Sequence, residues 1–464
     1  MPTPLRLPAS LRLLAVVACG SVAVAAIPET AERFSRGPLI VVSIDGLRPD
    51  YVREADRYGL RIPELRRLLR EGASASGVSG VLPTVTYPSH ATLVTGVAPA
   101  RHGILANRPF DPLGTNRDGW YWYAEDLRVP ALWDAASAAG LRTSSVDWPT
   151  TVGARIDWNV PQVWRADTPD DAKLVRAVST PGLLAAAERE IGPWPYGSTG
   201  SLSRDRRMAA FSAWLLRVKK PRLHFAYFAS LDEEQHRSGP GSPATLRTLE
   251  ALDSLVGELR RAADPMGEPT IAVVSDHGFA QANQDLFLNE ALLREGLLTR
   301  DAAGQVVEWR AQAWLAGGTV AILLKDPRDD ATRARVAALL TRLKREAGSA
   351  IERVLTEQEA IAEGGFPGAA FVVGLRPEAA PSRLAASRNG LHPVGPQHGE
   401  HGYLPDNHDM DAAFLLAGPE VPKGADLGRI DMRDVAPTLA ARLSLSLPAA
   451  EGRDRLQPSR HARF

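Results

Sequence analysis

Short apolar runs rich in branched and aromatic side chains recur along the chain, and several close on an acid. LIVVSIDG reaches Asp45, HFAYFASLD reaches Asp232, and TIAVVSDHG reaches Asp276 with His277 beside it. An unbroken apolar run, without alternation, is what a strand buried on both faces requires, as in a parallel sheet covered by helices. Between the runs the period changes. In TLEALDSLVGELRRAA, Leu249, Leu252, Val256 and Leu259 fall on one face of a helix that delivers the chain to the strand starting near Thr270. Alternation of this kind predicts an α/β fold with an open, mostly parallel central sheet flanked by crossover helices. Ligands gather at the carboxyl ends of the strands in such sheets, which is where these acids lie.

Two stretches interrupt the alternation and read as decorations of the core. Residues 108–205 hold many of the tryptophans and prolines. Residues 306–378 contain TVAILL, a helix around RVAALLTRLKREAG and the run AAFVVGL, which predicts a small α+β insert. The basic residues of that helix, Arg333, Arg335, Arg342, Lys344 and Arg345, read as a solvated face. The catalytic domain is expected over about 37–447, and the polar tail, 448–464, is expected to fray.

Arg6 and Arg12 precede the apolar run LLAVVACGSVAVAA, which ends in small residues before Pro28 and Glu29. This is the pattern of an export signal over residues 1–26, cleaved after Ala25 or Ala26, and it predicts a periplasmic or secreted protein. Alternatively, VVAC at Val16 to Cys19 is a lipoprotein box with Cys19 acylated. A membrane anchor is disfavoured because the run is shorter than the roughly 20 residues a span needs. Cys19 is the only cysteine, so the mature chain has no disulfide to lean on. The 54 basic and 54 acidic residues cancel, which removes the electrostatic case for a nucleic-acid polymer or an anionic membrane as partner. Any anionic substrate must be met by local chemistry.

Asp232 and His236 are four residues apart, so a helical turn sets both on one face, where they can share a metal ion or simply form an exposed pair. Asp276 and His277 can both reach a metal from a loop. HGEHGYLPDNHDMDAAFLLAGP brings His398, His401 and His408 into a glycine-rich loop before a further strand. Singly, each feature has a bland reading. Together, acids and histidines at successive strand ends are what a paired metal centre needs: Asp45, Asp232, His236, Asp276, His277 and one C-terminal histidine can divide as three and three, with nitrogen and oxygen donors suited to zinc, manganese or iron. In VLPTVTYPSHATLVTG, Pro88 suits the first turn of a helix that Gly96 stops, and Thr86 lies just before its N-terminus. A threonine there caps the helix or, beside metals, is placed to attack phosphorus.

The ordered set SIDGLRPDY, PTVTYPSHATLVTG, HGILAN, LDEEQH, SDHG and HGYLPDN resembles the nucleotide pyrophosphatase/phosphodiesterase branch of the alkaline-phosphatase superfamily, from about residue 38 to 420. The resemblance implies an alkaline-phosphatase-like fold and an exported phosphodiesterase or nucleotide pyrophosphatase with two Zn2+ per chain. One zinc would be held by Asp232, His236 and His401, the other by Asp45, Thr86, Asp276 and His277. Thr86 would be the nucleophile of a covalent phosphothreonine mechanism. Asn107 matches the residue that holds a non-bridging phosphate oxygen, and Tyr87 an aromatic lining the leaving-group or nucleoside pocket. The implied partner is a small phosphate ester, nucleotide-like. Monoester members of the superfamily carry a lysine and an arginine near that oxygen; the comparable stretch VDWPTTVGARIDW offers only Arg155, which favours a diester over the alternative of a phosphomonoesterase or phosphonate hydrolase. WYWY, Trp120 to Tyr123, could stack on a base or serve as core or lid packing. The alternative of another class is an idle relative that only binds a phosphorylated ligand, though no ligand or nucleophile is missing.

Overall fold

The computed structural model describes residues 37–457, without 117–118, 165–168, 196–199, 283, 347–348 and 382–398. The expected export signal, residues 1–26 with Cys19, as well as His398 and the last residues of the tail, lie outside them. The central sheet has eight strands: β1 (Leu39–Ile44), β2 (Ala73–Ser74), β3 (Thr143–Val146), β4 (Trp158–Val160), β5 (Leu223–Phe228), β6 (Thr270–Val274), β7 (Phe414–Ala417) and β8 (Ala425–Asp426). Their order is β8-β2-β7-β6-β1-β5-β3-β4, and only β7 runs against its neighbours. The sheet is therefore mostly parallel, as the unbroken apolar runs require.

Both faces of the central strands are covered. Ile40, Val42, Ala226, Phe228, Ile271 and Val273 pack against α2 (Leu202–Lys219) and α4 (Pro243–Ala263), whose buried stripe includes Leu249, Leu252, Val256 and Leu259. Val41, Phe225, Tyr227, Ala272 and Val274 face the opposite layer, with Leu93 and Val94 of α1 (Thr86–Thr95). Alternate residues thus meet two apolar layers, so no position in the run can be polar without a partner.

Register sets the site. Ser43 of β1 lies opposite Tyr227 of β5 and Val274 of β6, so Asp45 and Asp276, each two residues on, leave the sheet at the same level. Strand β5 stops at Phe228, earlier than the sequence suggests. Asp232 then falls in the first turn of α3 (Ser230–Ser238) with His236 one turn further, which is the helical pairing the spacing predicts.

The 306–378 segment builds the expected α+β insert: strands Ala311–Ala316, Thr319–Leu324, Phe371–Leu375 and Ile351–Thr356 form an antiparallel sheet in that order, with a helix over Asp330–Arg345. Residues 108–205 are more than decoration, because they supply β3 and β4 to the central sheet. Two of their buried polar residues find partners on neighbouring elements: Ser144 Oγ and His224 Nδ1 lie 2.7 Å apart, and Asn159 Nδ2 donates to the Thr151 carbonyl at 2.6 Å. Nor does the described part of the tail fray. The Glu451 N–H donates to the Gly96 carbonyl, its carboxylate accepts from the Ala98 N–H and from Arg101, and Leu456 packs on the apolar layer beside α1.

Candidate active site

At the carboxyl edge of β1, β5 and β6, two groups of side chains meet. His277 Nε2 lies 3.3 Å from Asp45 Oδ1 and 3.2 Å from Asp276 Oδ2. Asp232 Oδ1 lies 3.5 Å from His236 Nε2 and 3.6 Å from His401 Nε2. The His277 and His401 rings stack with centroids 3.7 Å apart, so the groups share a wall. Asp232, His236 and His401 converge closely enough to hold one ion, and so do Asp45, Asp232 and His277. Asp232 therefore faces both groups, whereas the resemblance gives it to one.

The histidine tautomers are fixed by the backbone. The Nδ1 atoms of His236, His277 and His401 lie 3.0, 3.0 and 3.3 Å from the carbonyls of Gly399, Gly278 and Thr84. A carbonyl only accepts, so each Nδ1 carries the hydrogen and each Nε2 lone pair points to the carboxylates, the arrangement of a metal-binding imidazole. Asp45 Oδ1, Asp232 Oδ1, Asp276 Oδ2 and His277 Nε2 are buried with no hydrogen-bond partner. Four orphaned acceptors turned on one another are costly unless a cation or a proton lies among them. Burial pushes the Asp45 carboxyl well up, with Asp276 adding to it, and does the same to Asp232, aided by Asp45 and Asp276. It raises Asp276 to about 7 and lowers His277. The donor set, imidazole nitrogen and carboxylate oxygen without thiolate, fits divalent transition metals.

Thr86, 8% exposed, is the first residue of α1, one position further into the helix than its sequence suggests. Asn107 Oδ1 accepts the Tyr87 N–H at 2.8 Å, which leaves the Asn107 amide hydrogens for an anionic oxygen. Tyr87 is 1% exposed and lies beneath Trp120, ring centroids 5.4 Å apart. Its ring is a packed wall and not an open face. Arg155 is exposed.

Three supporting residues escape sequence reasoning. The Tyr227 hydroxyl donates to Asp45 Oδ2 at 2.5 Å. His90 Nδ1 donates to the Thr86 carbonyl at 2.8 Å while its Nε2 accepts from Ser43 Oγ at 2.8 Å, and burial holds its pKa down at about 3, so it is neutral. Asp205 accepts the N–H groups of Ala229 and Ser230 at 3.2 and 2.9 Å, anchoring the start of α3. The i, i+4 spacing of Thr86 and His90 is the one signal that could have exposed any of them.

The chain is 25% identical over 280 residues to human ectonucleotide pyrophosphatase/phosphodiesterase family member 1, covering 57% of this chain and 26% of that protein. It is 25% identical over 257 residues to human bis(5'-adenosyl)-triphosphatase ENPP4, covering 54% and 49%. It thus spans about a quarter to a half of the curated relatives it matches. Among solved structures, the fold is shared with human ectonucleotide pyrophosphatase/phosphodiesterase 5, at TM-score 0.62 and 20% identity over 88% of this chain and 95% of that one. It is also shared with phosphonoacetate hydrolase from Sinorhizobium meliloti 1021, at TM-score 0.65 and 23% identity over 89% and 97%. Residues 39–403 match the family description itself, and that span contains every residue of the site. The chain belongs to the Type I phosphodiesterase / nucleotide pyrophosphatase family.

Proposed function

We propose that this chain is an exported two-zinc hydrolase of phosphoric esters, acting on diesters or pyrophosphates with Thr86 as nucleophile. The observation that carries the reading is the meeting of Asp45, Asp232, His236, Asp276, His277 and His401 around orphaned ligand atoms. One ion would be held by Asp232, His236 and His401, the other by Asp45, Asp276 and His277 with the Thr86 oxygen. Two such ions supply charge stabilisation to the entering and leaving oxygens of an in-line displacement and lower the pKa of a hydroxyl.

The chain's own residues do the rest. His90 fixes the Thr86 backbone, and the N-terminal end of α1 turns its positive dipole towards a phosphoryl oxygen. The Asn107 amide offers a further donor. Thr86 Oγ gives its proton to solvent and forms a bond to phosphorus as the bond to the leaving oxygen breaks, and that oxygen departs with a proton from solvent. Water then forms a new P–O bond, the Thr86 Oγ–P bond breaks, and the threonine regains its proton. The stretch VDWPTTVGARIDW, which offers only Arg155 where monoester members carry a lysine and an arginine, supports a diester over a monoester. Nucleotides are the reference substrates because relatives are described as nucleotide pyrophosphatases and as a bis(5'-adenosyl)-triphosphatase. The apolar N-terminal run supports export, and among the described residues no helix is long and apolar enough to cross a membrane.

The test compares bis-p-nitrophenyl phosphate with p-nitrophenyl phosphate in the wild type and in Thr86→Ala, with elemental analysis of the purified protein. Diester turnover that dominates and vanishes in Thr86→Ala is expected, with about two zinc ions per chain. Dominant monoester turnover would reassign the chemistry, and a variant with undiminished function would leave a binding protein.

A further inference from the structure

Beside the nucleophile, three aromatic rings stand in series. Tyr87 follows Thr86, Trp120 lies 5.4 Å from it at an interplanar angle of 46°, and Trp164 lies 6.2 Å beyond at 49°. A gap bounded on two sides by aromatic rings is a place where a flat ligand ring would stack. Here the indole of Trp120 fills it.

The indole is held there. The Tyr121 N–H donates to the Asn107 carbonyl, and the Trp122 carbonyl accepts from the N–H of Val152, whose own carbonyl accepts from Ala124. The Arg108 guanidinium lies 4.9 Å over the Trp120 ring. The Trp314 indole N–H donates to the Arg108 carbonyl at 3.0 Å, tying that residue to the α+β insert. These bonds run directly from the phosphate-facing residue Asn107 to the segment that carries Trp120, so the plug and the reaction centre form one framework.

We propose that Trp120 is the specificity residue of this site: its indole occupies the aromatic slot between Tyr87 and Trp164, so that the site takes phosphoryl compounds with a small, non-planar retained group and rejects those whose retained group carries a base. The proposal rests on the hydrolase reading above and narrows its substrate class. Chemically, the retained group is a small alkyl unit, as in a simple alkyl diester.

Two esters with the same leaving group separate the possibilities: methyl p-nitrophenyl phosphate and the p-nitrophenyl ester of thymidine 5'-monophosphate. The wild type should favour the methyl ester. Trp120→Ala should raise the nucleotidyl-to-methyl ratio of kcat/KM by about tenfold or more, the worth of one stacked base, mainly through KM. Trp120→Phe, which refills the slot, should return the ratio towards the wild-type value. AMP binding by calorimetry supplies a readout independent of turnover and should tighten by about tenfold in Trp120→Ala. Weaker AMP binding in that variant, or a ratio that stays unchanged or falls, overturns the proposal and makes Trp120 itself the stacking platform or plain packing. If neither ester is hydrolysed, the hydrolase reading fails while the AMP measurement still decides the slot.

Discussion

Tyr227 illustrates how much of the site depends on residues that touch no substrate. Its hydroxyl is the donor that faces Asp45 Oδ2, leaving Oδ1 for the ion. Tyr227→Phe keeps the ring and removes the bond, so metal affinity should fall about 10–100-fold, measured by competition with a chromogenic chelator. Unchanged affinity would show that the bond orients nothing. His90 makes a parallel case on the nucleophile side. An asparagine amide nitrogen lies near the position of an imidazole Nδ1, so His90→Asn should still hold the Thr86 carbonyl. His90→Leu should not, and should lose about 100-fold in kcat with KM nearly constant, the usual cost of a misplaced reacting group. Equal losses in both variants would reduce His90 to packing. Asp45, Asp232, Asp276 and His277 are legible in the sequence because they close apolar runs, where a charge needs a reason, whereas His236 is legible through its spacing from Asp232 and His401 through the motif resemblance. Tyr227 and His90 are not, since each sits where an aromatic ring would pack anyway, against Asp45 or between Trp148 and Tyr227.

At the scale of elements, α3 is nine residues long and carries both Asp232 and His236, so its placement matters more than its intrinsic helicity. Asp205 fixes that placement by accepting two N–H groups at the helix start, where the dipole also favours a carboxylate. Burial nevertheless raises the carboxyl from 3.8 to about 6. A raised folded-state pKa means that the group's contribution is complete below its unfolded pKa and is lost as pH rises through about 6. Asp205→Asn abolishes that titration, so wild-type stability relative to the variant should decline, by at most about 3 kcal/mol, between about pH 4 and pH 7. Urea unfolding across that range checks it; a difference that grows with pH would mean the N–H bonds outweigh burial. The change from unbroken apolar runs to helical stripes reveals β1, β5, β6 and α4 in the sequence. Strands β3 and β4 stay hidden because TSSV and WNV carry polar groups whose partners, His224 and Thr151, come from outside the strands. The docked tail is hidden for a related reason: Glu451 and Arg453 look solvent-bound until the Ala98 N–H and Asp434 are in place beside them.

For the molecule as a whole, the candidate metal site and the central sheet are one thermodynamic unit, because the converging acids and imidazoles come from the ends of β1 and β6, from α3 and from the loop before β7. A cation that binds the folded chain and not the unfolded one stabilises the whole domain, by about 2.7 kcal/mol at a hundredfold excess over Kd. Without the ion, burial holds the Asp276 carboxyl at about 7, above its ordinary 3.8, so the metal-free fold is most stable below the lower value and loses that contribution as pH rises through the upper one. Protons also compete with the ion for the carboxylates and imidazoles, which weakens metal binding at low pH. Both effects act in one direction. The gap in Tm between zinc-loaded and chelator-treated protein should therefore widen from about pH 5.5 to about pH 8, and refilling with zinc should restore it. A gap that stays flat or narrows would mean that the ion is not relieving the crowded carboxylates of Asp45, Asp232 and Asp276, and that the orphaned oxygens are kept in place by something other than metal.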